Sequence, residues 1–527
     1  MRGNARTQGE TRRKEKDNIF GSGSRAPIAI SLLVKNPKSK QRGQVFFHDI
    51  GDYLSREEKL KAIQDYASIA GITAANGWQS ITPDDHGDWL QQRDDSFSQF
   101  IVLGDKKKNE TGLFENFSLG VVTNRDVWCY NSSLSIITEN MQRMINFYNT
   151  EVFRFDTLYK CFDKKERGSK IESFIDTNPT KISWTRSLKQ FLVKNYSFYF
   201  DEKSLIHSQY RPFTRQWLYF NRTFNEMVYQ MPRIFPEPTS ENIIISVSGA
   251  GAKNGISCFI SSTILDLNCL EAGAQCFPLY LYDDPSETKA PSQSQGSLFD
   301  APAPEPKQRT RRDAITDEGL QHFQSAYPGE KISKEDLFYY IYGLLHSEQY
   351  REWYADNLAK ELPRIPRVKL AADFWAFSKA GRELAKLHIG YESVEPYPAT
   401  VGIAGGKTLD DCTPQDFRVE KMRYGKNGKE KDLTTLHYNS KITVTGIPPE
   451  AYEYVVNGKP ALDWVVERQC VKTDKDSGIV NDANDWANET MHNPRYPLEL
   501  FLRVITVSLE TLKIVKALPK LEKAELS

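Results

Sequence analysis

Between Ile206 and Arg233, four arginines, Arg211, Arg215, Arg222 and Arg233, are interleaved with Tyr210, Phe213, Trp217, Tyr219, Phe220 and Tyr229, and acid is nearly absent. A guanidinium carries five donors in a fixed fork that suits a phosphate or a guanine edge. A neighbouring aromatic face can stack on a base or on the guanidinium itself. The mixture reads as a nucleic-acid surface. The same residues also fit a half-buried meander, because Trp217 and Tyr219 alternate with Leu218 and Phe220 as in a strand, and arginines are common at strand rims.

Other residues could meet a ligand. Asn124 and Arg125 follow the apolar run from Leu119 to Val122 and precede a helical pattern through Ile137, Met141, Met144, Ile145 and Tyr148. A strand, a polar turn and a helix would present both side chains, or Arg125 would pair with Asp126 and hold the turn. Lys253 sits among three glycines between the apolar runs Ile243 to Val247 and Ile256 to Ile260. That loop allows close approach of backbone to an anion, and a plain hairpin turn would look the same.

Catalytic motifs are harder to find. The Asn-Pro pairs at Asn36, Asn178 and Asn493 never continue to the second proline that the Asn-Pro-Pro-aromatic loop of an adenine methyltransferase carries. Gly21-Ser22-Gly23-Ser24-Arg25-Ala26 precedes a strand-like run, whereas a dinucleotide fingerprint must open a helix. Gly405-Gly406-Lys407-Thr408 has Val401 where a Walker loop needs glycine. His86 lies between Asp85 and Asp88 in a turn-rich stretch that suits Asx turns better than a metal. Asp474 to Trp486 lacks the ligand spacing of an EF-hand and reads as a structural turn. No residue is therefore assigned to catalysis or to a metal.

The 527 residues allow two to four domains, and 39% hydrophobic with 26% charged residues describes a globular chain. Formal net charge is zero, so any nucleic-acid binding is local rather than histone-like. The seven cysteines are scattered without a CxxC pair and read as reduced core residues. No apolar run reaches the roughly 18 residues of a membrane span, and cytoplasm is the expected compartment, with no membrane partner.

The positioning elements follow from periodicity. Ser55 caps a helix that holds Glu57, Glu58, Leu60 and Ile63. Pro285 to Asp313 is rich in Pro, Ser, Gln and Ala and is expected to be a disordered connector. Ser333 with Asp336 starts a helix whose Leu337, Ile341, Leu344 and Leu345 share a face widened by Phe338, Tyr339, Tyr340 and Tyr342, read as core. Further helices are expected at Tyr350 to Leu358, Phe374 to Leu387, Ala461 to Cys470 and Leu498 to Leu518, with an antiparallel meander between Phe417 and Val471. Ile28 to Val34 reads as a mostly buried strand without its sheet, which suggests that the chain begins inside a domain.

Several of these segments resemble one family. YRPFTRQWLYF with VYQMPR, GVVTNRDVWCYN, QCFPLYLYDD and RGNARTQGETRRKEKDNIFGSGSRAPIAISLLVKNP are similar to type ISP restriction-modification enzymes, and DLFYYIYGLLHSEQYREWYADNLAKELPRIP also resembles type IIG enzymes. The resemblance covers nearly the whole chain. It implies an α+β fold of several subdomains, β-rich and helical, preceded by the terminal strands of an α/β methyltransferase. The implied division is 1–45 for the end of the methyltransferase module, 46–283 for the first part of the target-recognition region, 284–316 for the connector and 317–527 for the second part.

The implied function is sequence-specific recognition of double-stranded DNA, with the upstream methyltransferase, translocase and nuclease part of the same enzyme as partner. S-adenosylmethionine, ATP and magnesium are implied for the full-length family and no cofactor for this chain. An adenine-specific methyltransferase active only with an upstream catalytic part, and a structural module without DNA affinity, remain open. The expected DNA-binding residues are Arg6, Arg12, Arg13, Arg25, Asn124, Arg125, Tyr210, Arg211, Arg215, Arg222, Arg233 and Lys253. Phe20 is expected to stack on the flipped adenine, or else to be a core phenylalanine at a strand start.

Overall fold

The computed structural model describes residues 3–4, 9–21, 25–40, 43–107, 109–284, 309–428 and 430–527. Arg6, the serines of the Gly21 to Ala26 run and residues 285–308 of the expected connector lie outside them. Among the described residues the fold is α+β without a barrel, as the resemblance implies.

Ser118–Leu119 (β1) and Tyr130–Asn131 (β2) flank a single helical turn, Asp126–Cys129. Leu134–Tyr159 (α1) starts where Ser133 Oγ accepts from Ile136 N, and Ile137, Met141, Met144, Ile145, Tyr148, Val152 and Phe155 form its buried face. The arginine-rich run becomes the hairpin Leu205–Arg211 (β3) and Thr214–Tyr219 (β4). Ile244–Val247 (β5), Cys258–Ser261 (β6), Ile264–Leu265 (β7) and Gln275–Pro278 (β8) follow, all almost wholly buried.

Two sheets result. One has the order β7-β3-β4-β2, with β7 parallel to β3 and the other pairs antiparallel; the second, β1-β8-β5-β6, is antiparallel throughout. Bridges from Val121 to Asp266 and from Val122 to Met227 stitch them together.

Two expectations are corrected here. Residues 309–316 do not belong to a connector: Thr310–Asp313 pairs antiparallel with Tyr280–Asp283, and Ala314 and Ile315 are buried. Composition hid this because Arg311, Arg312 and Asp313 look solvated, whereas Arg312 is held by Glu115 and Asp283. Ile28 to Val34 is neither a strand nor buried, and Leu33 is 87% exposed.

The second half is helical around Lys334–Leu344 (α2) and Ala371–Ile389 (α3). Ser333 and Asp336 form the expected capping box, and Tyr339, Tyr340 and Tyr342 are core. The helices meet at glycines: a Cβ on Gly381 would lie 1.9 Å from Tyr339 O, and one on Gly343 2.2 Å from Phe377 O. Tyr342 Oη and Thr511 Oγ1 hold the two nitrogens of buried His388 at 2.7 and 2.8 Å. The Pro363 to Pro366 break is itself a short strand, Arg364–Ile365, paired with Ile101–Val102.

Thr400–Ile403 (β9), Arg423–Asn427 (β10), Glu430–His437 (β11) and Ile442–Thr445 (β12) make an antiparallel sheet of order β9-β12-β11-β10. The helix Ala461–Arg468 and the final helix Tyr496–Lys516 close the lobe, the latter docked through Phe501, Val504, Ile505 and Val507.

Two outcomes follow from this packing. Gly381→Ala forces backbone apart, so urea unfolding should show a loss of about 1–3 kcal/mol, more than the few tenths typical of an exposed site. The second concerns acid. Burial holds the folded His388 pKa down, from 6.5 to about 3. Between those values the unfolded chain binds more protons, so stability falls as pH drops from about 6.5, by up to ~1.4 kcal/mol per unit for this residue. His388→Gln should flatten that slope in urea titrations at pH 7 and 5.

Candidate nucleic-acid interface

At the tip of the β3-β4 hairpin, Pro212 and Phe213 form the two-residue connection, with Phe213 at φ 54°. Proline sets the first turn position, and the second needs a positive φ, which a non-glycine residue adopts at a cost. Burial offsets that cost: the Phe213 ring is fully buried against Phe259, Tyr391 and Tyr454. The tip therefore points into the protein.

Two of the arginines, Arg211 and Arg215, follow it inward. Arg211 Nη1 lies 2.6 Å from Asp266 Oδ1, Nη2 is 3.8 Å from Asp126 Oδ2, and the guanidinium sits 3.9 Å from the Tyr210 ring centroid. Tyr210 Oη donates to Asp126 at 3.2 Å. Burial pushes the Asp266 carboxyl up, to about 6, against the opposing pull of Arg211, and the Asp126 charge adds to the rise. Arg215 Nη1 is 2.6 Å from Glu392 Oε2, and its Nη2 donates to Ile389 O at 3.1 Å. Arg233 pairs with Asp283 at 2.8 Å. Trp217 donates to Thr490 Oγ1 at 3.0 Å, and Tyr219 is buried.

The expectation that Tyr210, Arg211 and Arg215 present free donors to DNA is thus corrected to the meander reading, whereas Arg233 lies outside the hairpin and stays half-exposed beside Asp283. Each charge already has a carboxylate supplied from far away in sequence. Arg222 differs: it is exposed and makes no ion pair among the described residues.

The other expected residues divide similarly. Arg125 is 4% exposed, and burial lowers its pKa. It neither reaches a surface nor pairs with Asp126, which is bonded to Thr123 and Tyr210. Its neighbour Asn124 is exposed at φ 53°. The glycine loop does cradle an anion, but that anion is the chain's own Glu271, whose Oε2 accepts from Lys253 N at 3.0 Å and Asn254 N at 3.1 Å. The Lys253 side chain remains exposed.

Near the N-terminus Arg12 donates to Lys16 O, while Arg13 and Arg25 are exposed. Phe20 is 68% exposed within this chain. Asp84 Oδ1 accepts from His86 N and Asp88 N, an Asx turn as read from sequence. A cleft of about 400 Å³ lies at the start of α1, lined by Leu134, Ser135, Thr138, Glu139, Trp217, Glu489 and Thr490. Glu489 fills the helix end, accepting from Ser133 Oγ and Leu134 N at 2.9 Å each, which makes this site unsuited to a phosphate. Among the described residues no group of three His, Cys, Asp or Glu side chains is placed to hold a metal.

These features describe an α+β region of interlocked sheets and a helical lobe. The chain belongs to the Type ISP C-terminal specificity domain family, whose sequence model matches residues 112–500. It is similar to a nuclease-deletion mutant of the Type ISP restriction-modification enzyme LlaGI, solved in complex with a DNA substrate mimic, at 37% identity and TM-score 0.81, over 99% of this chain and 43% of that one. The ATP-dependent Type ISP restriction-modification enzyme LlaBIII bound to DNA matches at 33% identity and TM-score 0.81, over 99% of this chain and 30% of its own. The DrdV-DNA complex matches at 29% and 0.78, over 99% and 47%. The chain thus spans less than half of each. No curated protein matches the sequence.

The buried Arg211–Asp266 pair leads to a direct test. Removing one partner of a desolvated pair strands the other charge, so Arg211→Ala should lower unfolding stability by about 3–5 kcal/mol, and Arg211→Met with Asp266→Leu should recover most of it. A DNA-contacting arginine would instead lose affinity with unchanged urea midpoint.

Proposed function

We propose that this chain recognises a specific sequence in duplex DNA, as the specificity region of a Type ISP restriction-modification enzyme. The observation that carries this is the match of 99% of the chain to enzymes solved with DNA, together with the specificity-domain match over residues 112–500. Methylation, ATP-driven movement and cleavage belong, in this reading, to an upstream part of a longer enzyme, where S-adenosylmethionine, ATP and magnesium would act. Among the described residues sustained parallel pairing is limited to the two-residue strand β7, and no glycine-rich turn leads from a parallel strand into a helix to hold such a cofactor.

The exposed apolar side chains of Ile30, Leu32, Leu33 and Val34 support an upstream partner. In this reading residues 1–45 complete the methyltransferase sheet, and Phe20 faces the extruded adenine. Arg222, Arg25, Arg13, Asn124 and the Lys253 side chain remain candidates for DNA contact by their exposure.

Fluorescence anisotropy with a random-sequence duplex pool, followed by rounds of selection, tests the function: binding with enrichment of one short sequence is expected, and binding without enrichment, or none, overturns it. In the longer enzyme Phe20→Ala should lower methylation kcat/KM by about 5- to 150-fold, the equivalent of ~1–3 kcal/mol of stacking, with Phe20→Tyr restoring it and the melting temperature unchanged. An equal loss for both variants would remove Phe20 from the base pocket.

A further inference from the structure

The cations singled out by sequence are largely neutralised, so the question becomes where unneutralised positive charge lies. Lys421, Arg423, Lys426 and Lys431 all lie in or beside the β10-β11 hairpin, and all are exposed. Lys421 bridges to Cys470, which brings Lys472 alongside the same edge, also exposed. None of the five makes an ion pair among the described residues. By contrast Arg418, a few residues away, is engaged by Glu420 and by Asp482 at 2.7 Å.

The register sharpens this. Lys426 stands directly opposite Lys431, and Arg423 opposite His437. Like charges directly across an antiparallel pair are destabilising. The local acids do not relieve them: Asp432 is turned onto Thr434, accepting from its N at 2.9 Å and Oγ1 at 2.6 Å, and Glu430 stands opposite Asn427. The hairpin is held from beneath by Tyr424, which donates to Asp463 at 2.7 Å and lies under the Lys431 ammonium. A braced two-stranded ribbon with cations along an outer edge has the dimensions to follow or enter a DNA groove.

We infer that the β10-β11 hairpin is a phosphate-contacting element for duplex DNA, with Lys421, Arg423, Lys426, Lys431 and Lys472 as its contacts. It rests on the proposed DNA-binding function and adds a place that the arginine-aromatic run does not supply. Lysines on a sheet edge can also serve only to prevent edge-to-edge pairing between copies. The two roles respond differently to charge.

The test uses the whole chain and a random-sequence duplex, with affinity measured against salt concentration. Replacing Arg423, Lys426 and Lys431 by alanine should reduce the slope of log K against log salt by about 3, each phosphate contact contributing ~0.9. Lys426→Glu is the second variant: it sets opposite charges across the pair with Lys431, so the fold is kept or strengthened while the slope falls by more than for Lys426→Ala. An unchanged slope in both, with wild-type binding intact, overturns the hairpin assignment and leaves the proposed function standing. Absence of DNA binding by the wild-type chain overturns both. Lower affinity of Lys426→Glu with unchanged melting temperature supports the assignment, and self-association of the alanine variant at unchanged slope returns these lysines to edge protection.

Discussion

Two guanidinium groups taken out of water, those of Arg211 and Arg215, each hold a carboxylate within contact distance, and these two pairs organise the molecule around one hairpin. Arg211 reaches Asp266 beside β7, Arg215 reaches Glu392 just after α3, and Trp217 reaches Thr490 next to the final helix. Between them Phe213 is clasped by rings from three separate stretches of chain. None of these contacts is local. The hairpin is thus a peg on which the first-half sheets and the second-half lobe are hung, and its polar groups are used for assembly before any could be used for a ligand.

Local chemistry was legible in the sequence. The capping boxes at Ser55 with Glu58 and Ser333 with Asp336, the buried tyrosines of α2, the buried face of α1 and the meander after Phe417 depend on neighbours within a few residues, and periodicity captures them. Long-range pairing was not legible. Arg211, Arg215 and Arg233 looked free because their acids lie 55, 177 and 50 residues away, and the Lys253 loop looked vacant because Glu271 lies 18 residues beyond it. Residues 309–316 were misjudged for the same reason: a strand rich in charge reads as solvent-facing until its partner strand and its carboxylates are known. The family resemblance carried what composition could not, since the net charge is zero.

Exposure and neutralisation together sort surface from scaffold better than residue type does. Arg125 and Arg222 have identical chemistry and opposite settings, one enclosed beside Met144 and the other in solvent. A guanidinium with its acid attached is expensive to redeploy, because a phosphate must first displace a partner that burial has strengthened. Lysines facing one another across a ribbon carry the reverse bias: an incoming anion lowers a repulsion that folding leaves in place.

The clasp of Glu489 on the start of α1 has a consequence for how the chain is made. Ser133 and Glu489 are separated by 356 positions, so at ~5–20 residues per second a ribosome delivers the carboxylate roughly 20–70 s after the helix it closes. During that interval the first-half sheets exist without Thr490 and, at first, without Glu392, Tyr391 or Tyr454, so Phe213 lacks two of the three rings around it and Arg215 lacks its carboxylate, while Arg211 already has Asp266. Nascent chains stalled or truncated before residue 490 should therefore be clients of chaperones and proteases, while completion of the final lobe acts as the step that releases them.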